Sequence, residues 1–206
     1  MTTIMPLPVK CPVCENEFEI YVLGSTNAWG APDLDLRPPE MQRSTMDKWV
    51  HECPSCGYVT PDFNQSTEIT SDFLKSDSYK SCDDLNFNHS LAERFYRQYL
   101  IASSNSDKFH ALLHCAWVCD DTDDEKNAQL MRRKSLEYIE KLDLNDDILI
   151  QRADLLRRSG QFERVIEEYS TKTFKEDIYN MICSFEVEKA IQKDASCYTV
   201  EDVVKS

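Results

Sequence analysis

Hydrophobic and polar positions alternate in the N-terminal part of the chain. Phe18, Ile20 and Val22 share one side of a short segment, and the residues between them face the other way. A period of two predicts a β-strand with one buried face. Apolar pairs at 49–50 and 58–59 predict two more short strands. We therefore expect a small antiparallel β structure at this end of the chain.

From about residue 66 the apolar positions recur every three or four residues, which predicts helices. The first helix is expected to begin at Ser66 or Thr67, and a short terminal turn is expected to be capped by Thr199. The predicted helices cover about 66–79, 88–102, 108–121, 126–142, 146–158 and 174–192, with one more after Gly160.

The stretch DDILIQRADLLRRSGQFERVIEEYS contains two amphipathic helices that meet at Ser159 and Gly160. A small residue such as Ala153 and a Gly that ends the first helix are typical of a tetratricopeptide unit. Val165 stands where that repeat usually has Ala. The helices of 108–142 are the candidate for a degenerate neighbouring unit, because one unit cannot bury its apolar face alone.

The charge of the chain argues against a nucleic-acid partner. The 206 residues carry a net charge of −14. Residues 1–64 contain 4 Lys and Arg against 9 Asp and Glu, and the remainder contains 19 against 28. Neither part offers the basic surface that a phosphate backbone requires.

Nine cysteines occur in this acidic chain, and the N-terminal MTTIMPLPVK lacks the apolar region of a signal peptide. No apolar run approaches the roughly 18 residues that a membrane span needs. We therefore expect a soluble cytoplasmic protein without a membrane partner, with cysteines as thiols and metal ligands.

Two Cys-Pro-x-Cys pairs predict one metal site. Cys11, Cys14, Cys53 and Cys56 can supply four thiolates from two tight turns, with 38 residues between the pairs. Four cysteines are the donor set of a closed structural zinc site. Iron is the less favoured alternative, because the same turns build rubredoxin-like centres.

The residue after each pair differs between the turns. Gly57 follows the second pair, where the chain tends to need a positive φ. Glu15 follows the first pair, and a non-Gly residue in that conformation costs roughly 1–2 kcal/mol. One solution is that Asn16 takes the left-handed conformation instead. The free energy of binding a structural zinc ion is on the order of 10–16 kcal/mol, which exceeds the cost of one strained turn.

A Pro-rich arm at 24–44 separates the two turns. Its composition predicts an irregular surface segment. The alternative is a binding loop that carries Trp29, Arg37 and Arg43. The predicted fold is α+β, with a zinc-ribbon-like domain at 1–64 and an all-α, tetratricopeptide-like domain at 65–206.

Other candidate sites are weaker. His110 and His114 are four residues apart, as are Cys115 and Cys119, but the two pairs point about 120° apart on one helix and cannot share an ion. The acidic run at 120–126 lacks the Gly and final Glu of a calcium loop. No catalytic or nucleotide-binding motif is present. Three more cysteines are read as ordinary thiols: Cys82, Cys183 and Cys197.

The cysteine turns carry a resemblance. A Cys-x-x-Cys pair, a long polar arm and a Cys-Pro-x-Cys-Gly-Tyr turn that ends at Tyr58, followed by tetratricopeptide-like helices, resemble the bacterial family of domain of unknown function 2225. Glu15 departs from the Gly that the family has after the first pair. The resemblance implies a metal-binding N-terminal part and a helical C-terminal part, and it implies no reaction.

The favoured function is a non-catalytic adaptor that holds an unknown protein or peptide, since stacked helix pairs form concave binding surfaces. The alternatives are a rubredoxin-like iron electron carrier, a nucleic-acid-binding zinc ribbon and an enzyme with an open zinc site. The last would require one of the four cysteines not to bind the metal.

Overall fold

The N-terminal part is built on an antiparallel two-stranded ribbon. A computed structural model of the protein describes residues 1–206 and places β1 at Thr3–Lys10 and β2 at Glu17–Ser25. The alternation around residue 20 predicted β2 correctly, and Ile20 is its buried residue. A mixed α and β fold with a small N-terminal antiparallel sheet is thus confirmed.

β1 was not predicted from the sequence, because prolines are rare in strand interiors. Pro6 lies opposite Tyr21 in the register, and Pro8 lies opposite Glu19. Proline has no amide N–H, so the bonds between the strands run through the intervening residues. The proline nitrogens face away from β2, and an edge strand tolerates this.

The second cysteine turn is enclosed by its own short hairpin, in which β3 at His51–Glu52 pairs with β4 at Val59–Thr60. β4 lies close to the predicted strand at 58–59. The predicted strand at 49–50 is displaced, because a 3-10 helix at Arg43–Lys48 with its following turn occupies that segment. The two hairpins form separate sheets.

The 24–44 arm is irregular, but it is not wholly on the surface. Trp29 is 67 % exposed and pairs with Glu40 in an isolated bridge. The segment 33–37, in contrast, is packed under the helices, and Leu34 and Asp35 are almost fully buried. The prediction of a surface arm is therefore wrong for this segment.

The predicted helix at 66–79 is instead two short helices, α1 at Ser71–Lys75 and α2 at Asp77–Lys80. Thr70 caps the first helix through the amide of Phe73. Ser76 is extended, ends α1 and caps α2 through the amide of Tyr79. A residue whose side chain bonds the backbone locally thus interrupts an otherwise helical pattern.

The remaining helices agree with the predicted pattern to within a few residues. They are α3 at Ser90–Ile101, α4 at Asn105–Asp121, α5 at Glu125–Ile139, α6 at Asp146–Arg158, α7 at Phe162–Tyr169, α8 at Asp177–Ile191 and α9 at Val200–Lys205.

Side chains cap most of these helices, and Thr199 does so as predicted. Ser104, Asp124, Asn145 and Thr199 each accept a bond from the third backbone amide of their helix. The start of α8 differs from the prediction by three residues. There, the amide of Phe174 donates to a side-chain oxygen of a residue within the helix and keeps the preceding loop non-helical.

One hydrophobic cluster joins the two predicted parts of the chain. It contains residues of α3 to α9 together with Leu34, Met46, Val50 and Val59. The boundary at residue 64 stays a prediction about independent folding, since the packing crosses it. None of the helices combines the length and the apolar character that crossing a bilayer requires.

Candidate metal centre

The two cysteine turns have the same backbone hydrogen bonds. In the first turn the amide of Glu15 donates to the carbonyl of Cys11 at 2.9 Å, and the amide of Cys11 donates to the carbonyl of Asn16 at 2.9 Å. The second turn repeats both bonds at the equivalent positions, at 3.0 and 2.8 Å. Each turn follows the first strand of a hairpin, so the two hairpins present their cysteines in the same way.

The four sulfurs form one cluster. All four Sγ atoms lie within 4.8 Å of one another. Sγ of Cys11 lies 3.7 Å from that of Cys56, and Sγ of Cys14 lies 3.6 Å from that of Cys53. A tetrahedron with metal–sulfur distances of about 2.3 Å has sulfur–sulfur edges of about 3.8 Å. A disulfide would need about 2.05 Å, and all four cysteines are free.

The residue after each cysteine pair is left-handed. Glu15 has φ of 61° and Gly57 has φ of 73°. The suggestion that Asn16 takes this role in the first turn is therefore wrong. The two turns have the same backbone hydrogen bonds because Glu15 adopts a left-handed conformation that normally suits glycine.

The electrostatics of the cluster favour a bound cation. A hydrogen bond from the amide of Asn16 lowers the pKa of Cys14 to about 7. Burial raises the pKa of Cys53 and the pKa of Cys56. Four neighbouring thiols cannot all ionise unless a positive charge lies between them, and a divalent metal supplies that charge. The residues present therefore fit a four-thiolate metal ion, and zinc and iron both satisfy the geometry.

A small hydrophobic cluster surrounds the sulfurs. Phe63 stacks edge-on against Phe18 at 5.0 Å and against Tyr58 at 6.0 Å between ring centroids. The hydroxyl of Tyr79 donates to the carbonyl of Gly57 at 2.7 Å. The two short helices α1 and α2 thus pack against the cluster that contains the sulfurs.

An ion-pair cluster ties the centre to α3. Arg97 donates to Glu52 at 3.2 Å and to Asp83 at 3.2 Å. Its guanidinium also lies over the ring of Tyr79 at 5.9 Å. Glu52 directly precedes Cys53, so a side chain of the helical part holds the second turn in place.

The candidates on α4 serve in packing. The ring of His114 contacts Trp49 at 5.1 Å and Trp117 at 5.0 Å, between centroids. Burial in this aromatic group lowers the pKa of His114 to about 3. The Sγ of Cys115 donates to the carbonyl of Ala92 at 3.3 Å. The remaining thiols are also free: Cys82, Cys119, Cys183 and Cys197.

The sequence did not predict a buried charge network beneath the arm. The Asp35 carboxylate accepts bonds from Trp117 at 2.8 Å and from Arg158 at 2.9 Å. Arg158 also donates to Asp120 at 2.7 Å, and Arg132 donates to the same carboxylate at 3.0 Å. Burial favours the neutral acid, but the charge of Arg132 lowers the pKa of Asp120.

The helical pattern did not predict the environment of the charges in α6. Every residue of α6 from Ile150 to Arg158 is buried, although this segment contains five polar or charged residues. An amphipathic helix was expected here, and the polar face of such a helix normally lies in solvent. The partner in the arm, Asp35, has no sequence signal of burial in its own neighbourhood either.

No family model, no curated protein and no solved structure matches the chain.

Proposed function

We propose that the protein is a non-catalytic adaptor for other proteins, whose N-terminal part is held together by one structural zinc ion. The observation that carries the proposal is the closed set of four sulfurs, in which Cys11 and Cys53 are buried. A catalytic zinc site keeps a position for water or substrate and has three protein ligands. Four converging thiolates leave no such position, so they support a structural role.

The helical part supports the adaptor role. α6 ends in a Schellman turn, in which Gly160 has φ of 78° and its amide donates to Arg157, while the next amide donates to Leu156. α7 then returns against α6 and α8. We interpret this pair as a tetratricopeptide-like unit, in agreement with Ala153 being fully buried.

The partner is proposed to be a protein or peptide in the cytoplasm. The resemblance to the family of domain of unknown function 2225 stays a prediction, and the metal-binding N-terminal part followed by helices supports it. The net charge of −14 favours a basic partner over a nucleic acid.

The test combines metal analysis with partner capture. Purified protein should contain one zinc per chain, and the tagged protein should recover a partner in fixed stoichiometry from cells of its source. The variant Cys53→Ser should lose the zinc. Turnover of a small molecule by the purified protein, with no stoichiometric protein partner, would contradict the adaptor proposal.

Electron transfer through iron is the second candidate, and one observation favours it. Cys14 and Cys56 are partly exposed, so two of the four sulfurs lie near the protein surface. An exposed sulfur edge gives electrons a short path to a partner. Visible absorbance and elemental analysis decide between the metals, because a four-thiolate zinc protein is colourless and an oxidised four-thiolate iron protein is red.

A further inference from the structure

β2 has an open edge. The ribbon contains only two strands, so β2 is paired on one side alone. Because Pro6 and Pro8 cannot donate to β2, the bonded pairs of the ribbon lie at the residues between them. The residues of β2 opposite these prolines, Tyr21 and Glu19, therefore direct their backbone N–H and C=O groups to the unpaired edge.

The two edges of the ribbon are not equivalent. β1 has prolines at alternate positions of its outer edge, so it lacks the N–H donors that would bond an added strand. Prolines at such positions are a known protection against strand addition. β2 carries no proline, and Tyr21 on it is 54 % exposed. The ribbon is thus closed to strand addition on one side and open on the other.

A groove lies beside the open edge of β2. It has a volume of about 400 Å³ and is lined by three residues of β2, by three residues of the second hairpin and by Arg94 of α3: Phe18, Glu19, Ile20, His51, Glu52, Pro54 and Arg94. His51 is only 7 % exposed, yet its Nε2 has no hydrogen-bond partner. This nitrogen has almost no accessible surface, so it lies behind the wall of the groove and is not itself a contact for a bound segment.

This edge of β2 carries two glutamates that form no ion pair. Glu17 and Glu19 are exposed and point to the same face as Tyr21. Lys10 lies opposite Glu17 in the register, but it forms its ion pair with Glu15. A strand placed beside β2 would therefore be favoured if it carried basic residues opposite the two glutamates and an apolar residue opposite Tyr21.

We propose that β2 binds an extended basic segment of a partner protein as an additional antiparallel strand. The segment has the pattern apolar-x-basic-x-basic, with its apolar residue opposite Tyr21 and its basic residues opposite Glu19 and Glu17. Main-chain bonds to the open edge supply affinity, and the alternate side chains supply specificity. The inference rests on the proposed adaptor function and names the surface and the class of partner.

A short peptide tests the pairing directly. The probe is a fluorescein-labelled peptide with Val-Thr-Lys-Thr-Lys at its centre and Thr on both flanks, measured by fluorescence anisotropy with the zinc-loaded protein. Two control peptides isolate the two contributions. One replaces both Lys by Glu, and the other carries N-methyl groups on the Val and first Lys amides, which removes the donors to β2 and keeps every side chain. The first peptide should bind, and both controls should bind at least about tenfold more weakly.

A variant of β2 tests the edge from the protein side. The amide of Tyr21 faces the open edge and does not bond β1, so Tyr21→Pro should close the edge and leave the ribbon intact, as Pro6 and Pro8 do on β1. Tyr21→Ala is the matched control, since it loses the ring but keeps the amide. Zinc content and far-UV circular dichroism show that each variant is folded.

Tyr21→Pro should weaken peptide binding about tenfold or more, and more than Tyr21→Ala does. Equal binding by Tyr21→Pro, or by the N-methylated peptide, overturns the inference. A Tyr21-dependent dimer without peptide also overturns it, because a second copy would then occupy the edge. If a captured partner binds Tyr21→Pro as well as the parent protein, the adaptor function stands and this site is wrong.

Discussion

Glu15 and Gly57 occupy the same left-handed position in two turns that otherwise share their backbone bonds. The sequence predicted the strain at Glu15, because the spacing of the cysteines fixes the turn and Gly is the residue that suits it. It could not predict whether Glu15 or Asn16 adopts the left-handed conformation. The amide of Asn16 donates to the sulfur of Cys14, and this bond holds Asn16 in position, so Glu15 is the left-handed residue.

Glu15→Gly should stabilise the metal-bound protein. The substitution removes a left-handed strain of roughly 1–2 kcal/mol, and the greater freedom of Gly in the unfolded chain offsets about half of it. The exposed ion pair between Lys10 and Glu15 is too weak to change the sign. Urea denaturation of the zinc-loaded protein should show a gain of up to about 1 kcal/mol.

Gly57→Ala is the matched change in the second turn, and it should destabilise by about 1 kcal/mol, because Ala is strained at φ of 73°. The space around Gly57 is open, with the nearest atom 3.8 Å from an added Cβ, so packing does not contribute. A loss of stability in Glu15→Gly would show that the side chain of Glu15 serves a purpose beyond the turn.

His114 should make stability depend on pH. Burial lowers its pKa from 6.5 to about 3, so the unfolded chain takes up a proton between these values and the folded protein does not. The stability that depends on neutral His114 is complete above about pH 6.5 and is lost as the pH falls toward 3. The slope is at most about 1.4 kcal/mol per pH unit.

His114→Phe keeps an aromatic ring beside Trp49 and Trp117, and the difference in unfolding free energy between pH 7 and pH 5 should shrink by up to about 2 kcal/mol. The parent protein is the control. An equal difference in His114→Phe and in the parent protein would show that His114 does not carry this pH dependence.

At the scale of elements, the sequence predicted what depends on local pattern and missed what depends on partners. The start of α9 followed from its capping residue Thr199, which acts within one turn of chain. β1 was missed because its prolines are acceptable only at an edge, and an edge is defined by the neighbouring strand. Ser76 bonds the backbone locally at the break between α1 and α2, and the packing of Leu74 and Tyr79 in the cluster of the sulfurs stabilises this arrangement over a continuous helix.

The pairing of α6 with α8 illustrates a contact that no local pattern contains. Arg157 is fully buried and donates to Asp154 at 2.7 Å and to Glu186 at 2.6 Å. It also bonds the carbonyls of Asp194 and Ser196, which fixes the loop after α8. Burial, and the neighbouring charge of Asp154, raise the pKa of Glu186 to about 8.

At pH 9, above the pKa of Glu186, Arg157→Met should destabilise the protein by about 3–5 kcal/mol, because it leaves two buried carboxylates without a cation. The double variant Arg157→Met with Glu186→Gln should recover part of that loss, since it removes one of the two charges. Equilibrium urea denaturation of the single and double variants gives the coupling. Additive losses would show that the two side chains act independently.

At the scale of the whole molecule, the cysteine site could be predicted and the joint between the two parts could not. The four ligands are identified by spacing alone, because two short turns must each supply two sulfurs. The burial of Leu34 and Asp35 depends on groups more than 80 residues away, such as Trp117 and Arg158. A Pro-rich composition does not indicate that a segment will be buried against distant helices.

Asp35→Ala should test the joint without touching the metal. The change leaves the Trp117 indole without its acceptor and leaves Arg158 with Asp120 as its remaining carboxylate partner, and the expected loss of stability is about 2–4 kcal/mol. Asp33→Ala is the control, because Asp33 is also buried in the arm but pairs with Arg43, which belongs to the arm itself. Zinc content should stay at one per chain in both variants. Similar small losses for both would show that the Asp35 network does not hold the two parts together.

Removal of the metal should affect the two parts unequally. The sulfurs lie in the small cluster with Tyr58, Phe63 and Leu74, and the larger cluster contains the packing of α3 to α8. A chelator, or Cys53→Ser, should unfold the turns and the ribbon and leave most of the helical circular dichroism signal. A thermal transition that chelation does not change would contradict a structural role for the ion.

The middle of the arm is held by the C-terminal segment around residues 198–200. The amide of Leu34 donates to the carbonyl of Tyr198 at 2.9 Å, and the amide of Val200 donates to the carbonyl of Pro32 at 3.0 Å. These partners leave the ribosome roughly 160 residues after the arm does, which corresponds to roughly 10–30 s of translation. During that interval the cysteine turns can already bind their ion, but the surface against which Leu34 and Asp35 are buried is still incomplete. Assembly of the arm is therefore a late event of biosynthesis, however early its own residues are made.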